Sequence, residues 1–301
     1  MIKVRLYVAL DIGGTNIKYG LINEEGNIIK NGLRPTEAYK GGVGIMDKVK
    51  EIIKYYNEQY IISGICVSTA GMVCSEEGKI IYAGSTIPNY TGTEIKKILE
   101  DEFDVTCEVE NDVNCAALGE LWLGVGAMKQ SIVCVTVGTG IGGAVVLDGK
   151  IHHGFSNSAG EIGYTIVNGF QIQDIASTTA LVNSVSRRKG ILSSEIDGKC
   201  IFDEYEKGDI ICIEELEKLI NNLCIGISNI AYLLNPEVIV LGGGIMARRD
   251  IIAPLVDKAL NKYIIKSVRE NTKIEFAKLE NSAGMIGALY NFLQRHNVNN
   301  E

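Results

Sequence analysis

The chain has 301 residues, 46% hydrophobic and 22% charged, a globular composition that sets disorder aside. Its formal charge of −8 offers no broad basic field for nucleic acid or an anionic membrane surface. No run approaches the roughly 18 apolar residues of a membrane span, residues 1–10 lack a signal-peptide layout, and the eight cysteines, without a Cys-x-x-Cys, read as buried reduced thiols of a cytoplasmic protein.

Residues 4–10 form a β-rich apolar run that ends in Asp11-Ile12-Gly13-Gly14-Thr15. Residues 17–23 alternate like a strand, Glu25-Gly26 turns, and residues 27–30 resume. Acidic-Gly pairs between apolar runs mark hairpins because those turns need positive φ. Helical periodicity over 44–56, a strand over 61–68, a helix over 93–102, a strand over 106–110 and a helix over 112–123 follow. The opening plan then returns. Residues 131–137 are a strand, Gly138-Thr139-Gly140-Ile141-Gly142-Gly143 a turn, 144–147 a strand, and Asp148-Gly149 turns again. Later come a long amphipathic helix over 213–234, a buried strand over 237–241 with Gly242-Gly243-Gly244 behind it, and helices over 254–263 and 283–295. The expected division is a first lobe over 1–111 and a second over 112–284, with the helix at about 285–296 packing back on the first.

Two glycine-rich turns in matching strand–turn–strand settings suit a polyphosphate. Without Cβ atoms, the backbone N–H groups of Gly13, Gly14, Gly138, Gly140 and Gly142 can approach phosphate oxygens, and Thr15 and Thr139 add hydroxyl donors. Asp11, at a strand end, can hold Mg²⁺ directly or through water. Gly243 and Gly244 offer close backbone approach to an adenosine, although a plain strand-to-helix turn also explains them. No Gly-Lys-Ser/Thr follows the glycines, and a hairpin rather than a helix follows Gly13 and Gly14, so neither a Walker loop nor a dinucleotide fingerprint is present.

Glu110-Asn111-Asp112 lies between a strand and a helix. A carboxylate there either caps the helix or receives a hydroxyl proton during phosphoryl transfer, which otherwise asks for positioning and charge neutralisation. Asn111 beside it can donate to and accept from a sugar hydroxyl.

Asp-Ile-Gly-Gly-Thr at 11–15, Glu-Asn-Asp-Val-Asn-Cys-Ala-Ala at 110–117, Gly-Thr-Gly-Ile-Gly-Gly at 138–143, Ala-Gly-Glu-Ile-Gly-Tyr at 159–164 and Leu-Gly-Gly-Gly-Ile at 241–245 occur in order. This series, from about residue 6 to 295, resembles the ROK family of repressors and sugar kinases. The resemblance implies an α/β protein of the actin-like ATPase (ribonuclease H-like) fold, two duplicated lobes around a central cleft holding ATP–Mg²⁺ and sugar. It implies Asp112 as the base that activates a sugar hydroxyl, usually the 6-OH of a hexose, and Asn89, Asn111 and Glu161 as sugar contacts. It also implies a homodimer.

Two positions depart from the family pattern. A His followed by a cysteine cluster usually binds zinc; here the His position is Tyr164, and residues 168–175 contain no cysteine, so no zinc site is expected. His152 and His153 read as loop or surface residues. The family's sugar-binding Glu aligns with Gln173. Similar departures occur in a zinc-free subgroup that includes β-glucoside kinases, so glucose or a β-glucoside is the expected acceptor, with N-acetylmannosamine as the alternative. A family repressor would carry a winged helix-turn-helix of roughly 60–80 residues, whereas ten residues precede Asp11. A non-catalytic sugar sensor would not need Asp11, Asp112 and both glycine turns together.

Overall fold

The computed structural model describes residues 4–84 and 87–296. The chain forms two compact units: Met1–Met128 with His153–Ala159 and Leu279–Glu301, and Lys129–His152 with Gly160–Lys278.

In the first unit a five-stranded sheet runs in the order Ile28–Pro35, Asn16–Asn23, Leu6–Ile12, Gly64–Thr69, Cys107–Asn111. The first three strands are antiparallel, as hairpin turns require; the last two join in parallel. Side chains alternate across the sheet. Val8, Leu10 and Ile12 pack with Ile45, Val49, Ile52 and Ile53 of helix Gly41–Asn57 and with Ile95 and Leu99 of helix Ile95–Phe103. Tyr7 and Ala9 pack instead with Cys115 of helix Asp112–Trp122 and with Met285, Leu289 and Phe292 of the final helix, Ala283–Arg295. Trp122 stacks on Tyr290 with ring centroids 5.1 Å apart and planes 13° from parallel. Helix Asp112–Trp122 thus shares its core with the final helix, and the boundary expected at Asp112 falls inside the first unit.

The second unit repeats the sheet: Lys150–Ile151, Ile141–Leu147, Ile132–Val137, Val238–Gly242, Lys273–Phe276, with the same antiparallel and parallel pairings. The duplication therefore covers the whole five-stranded sheet, beyond the three-strand meander legible in the sequence. The long helix Ile210–Leu234 lies under it through Leu216, Leu219, Leu223 and Ile227. Helices Thr178–Lys189, Gly198–Glu206 and Arg249–Tyr263 also belong to this unit.

The register sets up the chemistry. Asp11 faces Lys18 on one neighbouring strand and Ser68 on the other. The equivalent row of the second sheet is Gly142, Thr136 and Gly242.

Phe292 is almost fully buried and meets Tyr7 edge-on at 5.4 Å. Phe292→Ala is expected to cost about 3–5 kcal/mol, read as a lower urea midpoint for the first unit.

Candidate active site

Asn111 ends the strand Cys107–Asn111 and becomes the N-cap of helix Asp112–Trp122. Its Oδ1 accepts from Val113 N (2.9 Å) and Asn114 N (3.0 Å), and its Nδ2 donates to Gly71 O (2.9 Å) and Asp112 Oδ1 (3.0 Å). The capping role that the tripeptide left open thus falls to Asn111, and Asp112 is the first helical residue. Val113 N also donates to Asp112 Oδ1, at 3.0 Å. Both of these bonds fall on Oδ1.

Burial raises the Asp112 carboxyl from an ordinary 3.8 to about 7; the charge of Asp11 adds to the rise, and the N–H groups of Val113 and Asp112 and the Asn111 amide oppose it. A base that changes protonation near neutral pH suits proton abstraction.

Asp11 is held by its row. Lys18 Nζ lies 3.2 Å from Oδ2, and Ser68 Oγ donates to Oδ1 at 2.8 Å. The final helix begins against it: a Cβ at Gly284 would fall 2.6 Å from Asp11 Cγ, so only glycine admits the carboxylate here. Each carboxylate oxygen keeps a second acceptor position. A single hard-oxygen ligand of this kind fits a Mg²⁺ ion that retains most of its waters. No group of three or more His, Cys, Asp or Glu among the described residues could hold a metal ion.

The Gly13–Thr15 turn closes by Gly13 N to Asn16 O at 3.0 Å and leaves Gly14 and Thr15 exposed. In the second unit, Gly138 N donates to Gly140 O at 2.9 Å, and Thr139 stands exposed at the tip. Thr178 N, the first N–H of helix Thr178–Lys189, donates to Gly138 O at 2.8 Å, which sets a helix N-terminus beside the turn. Gly243 has φ 98° and presses on Val137, where a Cβ would lie 2.2 Å from the carbonyl oxygen. The result is one cavity of about 740 Å³ that brings Gly138, Thr139 and Gly244 together, with Asn183, Phe202 and Arg248 in its wall. Its size is that of a small-molecule site. Gly142 lies in the strand after the turn.

Gln173 and Glu161 also belong to the second unit. Gln173 Oε1 is 3.3 Å from where a Cβ on Gly140 would be, and its Nε2 donates to Gln171 Oε1 at 3.0 Å. Burial raises the Glu161 carboxyl, while Tyr164 is 48% exposed. In the first unit, exposed Asn89 has a left-handed φ of 53° between buried Ile87 and Tyr90; the Tyr90 hydroxyl lies 2.7 Å from Thr69 Oγ1.

The ROK family model matches residues 7–295. The chain belongs to the ROK family. A β-glucoside kinase of Listeria monocytogenes is 33% identical, the alignment covering 96% of this chain and 98% of the relative. Among solved structures, a ROK family protein from Streptococcus pneumoniae in complex with sucrose superposes with a TM-score of 0.86 at 30% identity, covering 97% and 99% of the two chains. A ROK glucokinase from Streptomyces griseus, in complex with glucose and AMPPNP, superposes with a TM-score of 0.82 at 26% identity, covering 94% and 98%. The fold is the actin-like ATPase fold of these ROK structures. No helix of the described residues is long and apolar enough to cross a membrane.

Three polar residues of this ROK site are not legible as such in the sequence analysis. Lys18 is open to discovery by counting pairs outward from the Gly13 turn, and Ser68 is not, because its partner strand lies some fifty residues away. His153, expected as a loop or surface residue, is in a loop, yet its Nε2 lies 2.7 Å from Oε2 of the buried Glu110.

The elevated Asp112 carboxyl has a consequence for stability. Between an unfolded value near 3.8 and a folded value of about 7, the folded chain holds a proton that the unfolded chain has lost. Stability therefore falls as pH rises through this window. Asp112→Asn should raise the melting temperature by a few degrees at pH 8 and leave it unchanged at pH 4, measured by calorimetry.

Proposed function

We propose that this ATP-dependent carbohydrate kinase transfers the γ-phosphoryl group of ATP to the 6-hydroxyl of glucose or a β-glucoside, with Asp112 as the base. The observation that carries this reading is the Asp112 carboxyl itself: raised to about 7 by burial and Asp11, and pinned through Oδ1 at the start of its helix.

The cavity against Gly138, Thr139 and Gly244 would take the nucleotide, with phosphates on the turn and the N-terminus of helix Thr178–Lys189 and the adenosine toward Phe202. Mg²⁺, held by Asp11 through water, would neutralise charge on the transferring phosphoryl group. Asn89 and Glu161 would contact sugar hydroxyls, and Tyr164 and Gln173 would border the anomeric end. Asp112 Oδ2 accepts the proton of the attacking hydroxyl as its oxygen bonds to phosphorus and the bond to the leaving ADP oxygen breaks. Asn111, whose amide is taken up by the cap and by Asp112, serves the base rather than the sugar in this arrangement. The glucoside choice is supported by the β-glucoside kinase relative and by a neighbour that binds the disaccharide sucrose. A cytoplasmic homodimer completes the proposal, and light scattering of the purified chain checks the dimer.

An ADP-release assay with Mg-ATP against glucose, cellobiose, an aryl β-glucoside, N-acetylglucosamine and N-acetylmannosamine should give its highest kcat/KM on a glucoside or glucose. Preference for N-acetylmannosamine would replace the substrate, and silence with retained ATP and sugar binding would make the chain a sensor. Asp112→Ala should remove turnover on the active sugar while sugar binding survives.

The base must be ionised to work, so kcat should fall as pH drops through about 7. A profile flat down to pH 5 would remove Asp112 from the role.

A further inference from the structure

The strand Cys107–Asn111 carries Glu108 and Glu110 on one face and Cys107 and Val109 in the core on the other. Both carboxylates are buried, with side chains 3% and 1% exposed. An unpaired charge in such a place is strongly destabilising, so each must have partners. Glu108 has three: Lys96 Nζ at 2.9 Å, Arg295 Nη1 at 3.1 Å and His296 Nε2 at 3.0 Å. Glu110 has one ionisable partner within ion-pair distance among the described residues, His153 Nε2 at 2.7 Å.

What Glu110 does with its other oxygen links that pair to the base. Oε1 accepts from Asn111 N at 2.8 Å and from Asn114 Nδ2 at 2.9 Å. Asn111 is the cap that pins Asp112 Oδ1, and Asn114 lies in the first turn of the same helix. His153 holds Oε2; Oε1 then holds the cap and the first turn; the cap, Asn111, holds Asp112. Ser75 Oγ lies 3.3 Å from the same His153 Nε2, a longer contact than that of Glu110 Oε2, and 3.2 Å from Arg295 Nη2.

We propose that His153 is a positioning residue for phosphoryl transfer, acting through the buried carboxylate of Glu110 to set the direction of the Asp112 side chain. The inference rests on Asp112 as the base. It assigns His153 no contact with sugar or nucleotide: its work is to keep Glu110 Oε2 bonded, so that Oε1 faces Asn111 and Asn114. If His153 is removed, Glu110 turns toward another donor or toward water, and the cap shifts by a fraction of an ångström. Misplacement on this scale at a reacting group costs up to about 100-fold in rate.

The test compares His153→Gln, which keeps an N–H donor, with His153→Leu, which keeps bulk and donates nothing. Expected is a kcat about 10–100-fold lower for the Leu variant, with KM for ATP within about twofold of the parent, and a Gln variant restored to within about threefold. Glu110→Gln supplies a cycle: combined with His153→Leu it should lower kcat no further than the worse single change. Equal kcat for the Leu and Gln variants, or losses that multiply in the double variant, would overturn the proposal. If His153→Leu does not fold, the decision falls to the kcat of His153→Gln against that of Glu110→Gln: retention near the parent's rate in His153→Gln supports the proposal, and an enzyme as slow as Glu110→Gln overturns it. Asp112→Asn is run beside them. An inactive Asp112→Asn with a fully active His153→Leu sinks only the positioning role, whereas an active Asp112→Asn sinks the base.

Discussion

Two carboxylates in the first unit feel each other's charge, and much of the site follows from how the fold treats them differently. Asp11 sits in a row with a lysine on one side and a hydroxyl on the other, so its charge is answered within the sheet. Asp112 has amide donors on one oxygen, and burial works against its charge. The environments give two chemically identical groups different settings, one ion-paired within the sheet and the other raised by burial to titrate near neutrality. Gly284 belongs to this arrangement, because any side chain there would displace the Asp11 carboxyl group.

The duplicated sheets make the same point at a larger scale. Strand order, pairing directions and the placing of a glycine turn after the first strand are common to both. What differs is the row next to the turn: lysine, aspartate and serine in one copy, glycine, threonine and glycine in the other. One row presents charge; the other presents two glycines around an uncharged threonine. A repeated scaffold carries two different surfaces through the three residues of each row.

Features governed by local chemistry are the ones legible in the sequence. The final helix runs over the expected 283–295, and the glycine turns and the Asp112 helix start appear where turn and cap residues put them. Long-range partnerships are not legible. Glu110 and His153 lie 43 residues apart, and nothing in either one's neighbours announces the other. The limits of the first unit are hidden for the same reason: Cys115 and Trp122 pack against the last helix, more than 160 residues on. Helices Thr178–Lys189 and Gly198–Glu206, which bury three and two residues respectively, do not show in the sequence.

The chain's single tryptophan, Trp122, ends the helix that Asp112 begins, and it lies flat on Tyr290 of the final helix, the helix whose opening turn meets Asp11. The protein therefore carries an intrinsic optical probe whose ring joins the two helices bearing on the paired acids. Its emission reports on one defined junction, so movement there can be followed by light in the unlabelled native chain.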